Sequence, residues 1–130
     1  MMRTMKLLML VTDIGFVLYW LITIFHLIPA EFLFRDYTNP LLVYWNWSFL
    51  PLDLAISITG LSALWLFRKQ NPLWRPLTVI SLTLTSVSGL QAVAFWLFAG
   101  DFNLTWWLPN LFLLIYPLIF LPRLIAAKQS

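Results

Sequence analysis

The chain has no cysteine and a single histidine. The first absence removes disulfides, thiolate nucleophiles and Cys-x-x-Cys redox chemistry; the second argues against a His-rich metal site, so neither a metal nor another cofactor is expected. Charge is scarce as well: 10% of the 130 residues are charged, against roughly 25% in a soluble domain. What takes its place is apolar, with 62% hydrophobic residues and a mean hydropathy of +0.86. This composition predicts an all-α, polytopic membrane protein. Four spans of ~20 residues use most of the chain, so a single membrane domain, 1–130, is expected, with no room for a separate soluble one.

In chain order, the expected helices run over about 7–28, 40–67, 77–98 and 106–125. Arg3 and Lys6 before the run from Leu7 to Ile28 resemble a signal peptide, but at ~22 residues the run is too long and no small-x-small cleavage site follows. Thr12, Gly15, Tyr19, Thr23 and His26 share one small or polar stripe of that helix, with Asp13 about 100° round from Thr12. Pro29 to Thr38, carrying Glu31, Arg35 and Asp36 among aromatics, suits a loop or short helix in the interface. Asn39 supplies an N-cap and Pro40 the first helical position of the second helix. A helix from there to Phe67 is ~42 Å long, more than the ~30 Å core of a bilayer, so a kink near Pro51 is expected. It separates an interfacial aromatic extension, Leu41 to Leu50, from a spanning segment, Pro51 to Phe67.

Two small faces on that segment, Asp53-Ser57-Gly60 and Ala55-Thr59-Ser62, suit a helix sandwiched between neighbours, because small side chains let backbones approach in lipid. The third helix repeats the pattern with Thr78, Ser81, Thr85, Ser88 and Ala92, with Gln91 offset from them. In the fourth, Pro117 leaves the carbonyl of Leu113 without its helical donor, on the face of Asn110. Seven of the eight Lys and Arg fall in the N-terminus, second loop and C-terminus. The positive-inside rule therefore places both termini of this multi-pass protein in the cytoplasm. The net charge of +3 follows this topology rather than marking a nucleic-acid partner.

The candidate site residues are the polar groups that an apolar bundle would have to accommodate: Tyr19, His26, Asp53, Gln91 and Asn110. Each has an alternative use. Asp53 either faces a cavity or sits in a first helical turn stabilised by the helix dipole. His26 forms a pH-sensitive cluster with carboxylates or is an ordinary interfacial histidine. Gln91 and Asn110 face a ligand or bridge helices. Asp13 lies deeper, and either carries protons or snorkels to Arg75 or Lys6. The tryptophans read as an interfacial belt. No nucleophile–base pair, phosphate loop or metal spacing is present, so a non-enzymatic role is favoured.

Asp13-Ile14-Gly15-Phe16, Asn39-Pro40-Leu41-Leu42, the run Trp45 to Asp53, Gly100-Asp101-Phe102 and Trp107 to Phe112 together resemble the YvaD-like family of small bacterial four-helix membrane proteins. That resemblance implies a bacterial membrane location and carries no function. Pro29-Ala30-Glu31, Asn39-Pro40-Leu41-Leu42, Asp53 and Tyr116-Pro117-Leu118 are similar to the EXPERA group, which includes sterol isomerases and the sigma-2 receptor. Asn39 stands where that group tends to have Asp, and spacings differ by several residues. This second resemblance implies a lipid-accessible pocket with acidic residues.

Three roles follow as expectations. The first is binding of a lipophilic small molecule, cationic or not, or of a membrane lipid in an outward-side polar cavity bounded by Tyr19, His26, Asp53, Gln91 and Asn110, with Asp53 as counter-charge. The second is a proton-coupled exporter acting as a homodimer, with Asp13 as its carboxyl. The third is an accessory subunit of a larger membrane complex.

Overall fold

The computed structural model describes residues 2–29 and 38–126. Glu31, Arg35 and Asp36, with most of the expected interfacial loop, lie outside the described residues. Among the described residues there are five helices: α1 Met2–Ile24, α2 Pro40–Trp47, α3 Phe49–Arg68, α4 Trp74–Phe98 and α5 Leu104–Ala126. With α2 and α3 taken together, they make four candidate membrane spans, long and apolar enough to cross a bilayer.

Helix starts follow from asparagine. Asn39 Oδ1 accepts from Leu41 N at 3.0 Å, with Pro40 in the first turn, and Asn103 Oδ1 accepts from Thr105 N at 2.9 Å. Each side chain satisfies an N–H that the helix itself cannot. Helix ends follow from a shared left-handed closure. His26, Gln70 and Gly100 have φ of 52°, 57° and 74°. The next residue in each case bonds back across the turn: Leu27 N to Ile22 O, Asn71 N to Leu66 O, Asp101 N to Trp96 O. This is the Schellman arrangement, and it satisfies the last free carbonyls.

The expected kink near Pro51 is a break at Ser48, between α2 and α3. Pro51 has no N–H for Trp47 O and its ring crowds that carbonyl, so the disturbance falls three to four residues ahead of the proline. The spanning segment accordingly starts at Phe49 rather than Pro51. Other bounds move outward: α1 starts at Met2 rather than Leu7, and α4 at Trp74 rather than Leu77. At its far end α1 stops at Ile24, short of the expected Ile28.

In packing order, α1 lies on α3, α3 on α4 and α4 on α5. One serine bonds a backbone carbonyl across each of these interfaces. Ser57 Oγ donates to Asp13 O at 2.8 Å, Ser81 Oγ to Ile56 O at 3.0 Å and Ser86 Oγ to Leu114 O at 2.9 Å. Close approach is provided by Gly60 and Gly89. A Cβ on Gly89 would stand 2.5 Å from Asn110 O, and one on Gly60 would fall on the carboxyl of Asp13. The large hydrophobic side chains exposed on the spans are mostly Leu, Ile, Val and Phe, whereas Thr78, Ser81, Thr85 and Ser88 are buried. The bundle is polar-stitched inside and apolar outside, as lipid requires.

The first and last helices meet at one end, where Met5 and Met9 join Leu82, Tyr116, Phe120, Leu121 and Leu124. The basic residues gather there. Lys6 Nζ lies 3.9 Å from the centre of the Phe67 ring, and Arg75 donates to Leu124 O at 3.2 Å, near the end of α5. At the opposite end, α1 and α5 form the two walls of a cavity.

Candidate functional site

The cavity has a volume of about 520 Å³ and is walled by all five helices. From α1 come Gly15, Phe16, Tyr19 and Trp20; from α2 and α3, Trp45, Asn46, Phe49 and Asp53; from α4, Ser88 and Trp96; from α5, Trp106 and Asn110. Of the expected site residues, Tyr19, Asp53 and Asn110 are brought together. His26 is not: α1 stops at Ile24, so His26 falls beyond the helix as its exposed, left-handed closing residue. Gln91 is not either. It lies one residue round from buried Ala92 and is exposed on the outer face of α4.

Asp53 is 5% exposed. It lies in the second turn of α3, past the free backbone N–H groups of the helix start, so side chains have to supply its donors. Trp20 Nε1 donates to Asp53 Oδ2 at 2.9 Å, and Ser88 Oγ approaches Oδ1 at 3.5 Å. Tyr19 Oη donates to Asn46 Oδ1 at 3.2 Å, tying α2 to α1 over the cavity. Asn46 Nδ2 is buried with no partner among the described residues, leaving a donor at the cavity wall. Asn110 is held by its own helix, Nδ2 to Trp106 O at 2.7 Å.

The aromatic wall was not read from the sequence. Trp20, Trp45, Trp96 and Trp106 line the cavity, and Trp45 stacks on Phe95 at 4.2 Å between ring centres. Tryptophans at helix ends carry the same signature whether they face headgroups or a pocket. A usable signal existed for Trp20, seven residues after Asp13 and so on the same helical face.

The polar stripe on α1 also turns. Its buried residues are Met5, Met9, Thr12, Asp13, Trp20 and Thr23, so Asp13 points inward and Gly15 is exposed on the cavity wall. Asp13 is 1% exposed inside one chain. It reaches neither Lys6, which covers Phe67, nor Arg75, which serves Leu124 O. It also presents no carboxyl to an outer surface where a second copy could meet it, as the dimeric exporter would require.

These features define a small helical protein with four candidate membrane spans and an aromatic-lined cavity beside the buried carboxyl group of Asp53. The chain belongs to the family described as "Family of unknown function (DUF5360)", whose model matches residues 5–130. It is similar to "Uncharacterized protein YvaD" of Bacillus subtilis (strain 168), at 54% identity over 133 residues, 99% of this chain and 100% of that protein. No solved structure matches it.

Proposed function

We propose that the protein binds a lipophilic cation, an amine or quaternary ammonium carrying an apolar body, in this cavity. One observation carries the reading: Asp53 is set among Trp20, Trp45, Trp96 and Trp106, and its hydrogen-bond partners among the described residues are uncharged. Indole faces attract cations and a carboxylate supplies the counter-charge, while the remaining wall is apolar enough to bury a hydrocarbon body. The cavity reaches the outer surface between α1 and α5, where its wall residues Val11 and Phe112 are 62% and 43% exposed. In a bilayer that opening faces acyl chains, so the ligand arrives from the membrane. The distribution of Lys and Arg supports cytoplasmic termini and a cavity in the outward half.

The test is quenching of cavity tryptophan fluorescence in lipid nanodiscs by a long-chain quaternary ammonium and by its neutral analogue of matching shape. The cation binds more tightly to the wild type, and Asp53→Asn abolishes that preference. Gly15→Leu fills the cavity from a position where a new Cβ meets open space, and lowers binding of both probes while the fold is kept. Equal affinity for the two probes in the wild type would overturn the cation reading. Failure to bind either would overturn the cavity reading and leave an accessory subunit as the surviving role.

A further inference from the structure

Two cations at the basic end of the bundle are held by aromatic rings instead of by carboxylates. Lys6 over Phe67 brings the start of α1 to the end of α3, and Arg75 bonded to Leu124 O brings the start of α4 to the end of α5. Arg3, Lys6, Arg68, Lys69, Arg75 and Arg123 therefore share one end of the four candidate spans. The acidic residues among those described lie elsewhere: Asp13 is buried against Gly60, Asp53 lines the cavity and Asp101 follows α4 at its far end.

The two cations bracket a ledge. Lys6 Nζ stands 3.9 Å from the centre of the Phe67 ring, Phe67 meets Trp74 edge to face with centres 5.0 Å apart, and Arg75 Cζ stands 4.8 Å from the centre of the Trp74 ring. Trp74 packs against the core cluster that holds Met5, Leu82 and Leu124, so the ledge is fixed to the bundle. Lys6 makes no hydrogen bond among the described residues, and Arg75 spends Nη1 on Leu124 O and keeps the other donors of its guanidinium. The backbone here is closed to an anion: Leu73 N bonds to Asn71 Oδ1, Trp74 N to Asn71 O and Arg75 N to Pro72 O, and Pro76 has no N–H. Side chains alone can address one.

We propose that this ledge binds an anionic phospholipid. Arg75 takes the phosphate, Lys6 supplies the second positive charge across the ledge, and Phe67 and Trp74 carry the glycerol and the upper acyl chain. The setting selects a lipid over a soluble anion, because cations at the ends of apolar spans lie at headgroup depth and the rings form an apolar floor that a free phosphate would leave uncovered.

The site stands apart from the cavity, and its test uses no lipophilic cation. Native mass spectrometry is applied to protein released from nanodiscs that hold equal shares of phosphatidylglycerol and phosphatidylcholine. The wild type retains phosphatidylglycerol in preference, and Lys6→Gln combined with Arg75→Gln lowers that retention roughly tenfold or more. Arg3→Gln combined with Lys69→Gln removes the same charge from the same end and keeps the retention, as does Gly15→Leu, which fills the cavity. Equal retention of the two lipids, an equal loss in the two double variants, or a loss in Gly15→Leu overturns the proposal. So does displacement of the lipid by glycerol 3-phosphate, which would mark a site for soluble anions. Should the Lys6 and Arg75 double variant fail to fold, Lys6→Gln alone gives an independent reading. The thermal midpoint of the wild type rises when phosphatidylglycerol replaces phosphatidylcholine, and that of Lys6→Gln rises less; an equal rise overturns the proposal.

Discussion

Two aspartates are buried in this bundle, and they are buried differently. Asp53 stands in the second turn of a helix with an indole N–H on one oxygen and a serine hydroxyl near the other. Asp13 stands in the middle of a helix, with one oxygen pressed on a glycine and without a hydrogen bond to that oxygen among the described residues. Exposure alone does not separate them, at 5% and 1%. What separates them is whether the carboxyl group is given hydrogen-bond donors. The donors on Asp53 prepare it to meet a cation; the buried oxygen of Asp13 has none among the described residues.

The contrast can be attacked from both sides. The largest expected effect is on packing. Gly60→Val drives a branched side chain into Asp13 and Ser81 and costs about 3 kcal/mol of stability or more, seen as a lowered thermal midpoint. Combining it with Asp13→Ala recovers part of the loss, and strict additivity of the two would show that the contact is not shared. Next, Asp53→Asn weakens binding of the quaternary ammonium probe by roughly tenfold or more, as expected when one partner of a buried charge pair is removed. The neutral probe is unaffected. Trp20→Phe keeps the ring and deletes the donor to Asp53, costing about 1.5–3 kcal/mol in thermal unfolding. A cost within ~0.5 kcal/mol would mean that Asp53 does not depend on that bond. The smallest effect is Asp13→Asn, expected to change stability by less than ~1 kcal/mol because the replaced oxygen makes no hydrogen bond among the described residues. A large loss there would mean that this oxygen has a partner and would erase the contrast.

Much of the framework is legible in the residues. Asn39-Pro40 announces a helix start, the small polar row Thr78-Ser81-Thr85-Ser88 announces a buried face, and each lies where its chemistry predicts. Legibility fails where two uses share one signature. Of the polar row Thr12, Gly15, Tyr19, Thr23 and His26 on α1, Thr12 and Thr23 are buried as expected, but Asp13 and Trp20 join them through contacts with α3, while Gly15 and His26 are exposed. His26 looked like chemistry and closes a helix by its backbone, a role that depends on where α1 stops. Pro51 foretold a disruption, yet its position required counting back to the carbonyl that the ring displaces. The cavity itself was foreshadowed by Tyr19, Asp53 and Asn110. Its aromatic wall depends on how five helices meet, which no single stretch records.

The gap between the first and last helices has a practical side. Because the cavity mouth between Val11 and Phe112 is apolar and open, the solvent used to extract this protein is also a candidate occupant. An alkyl detergent tail of ordinary width can thread the same opening, and a detergent with an ammonium headgroup would compete directly at Asp53. Micelle chemistry thereby becomes an experimental variable, and the unliganded state is best sought in a native bilayer.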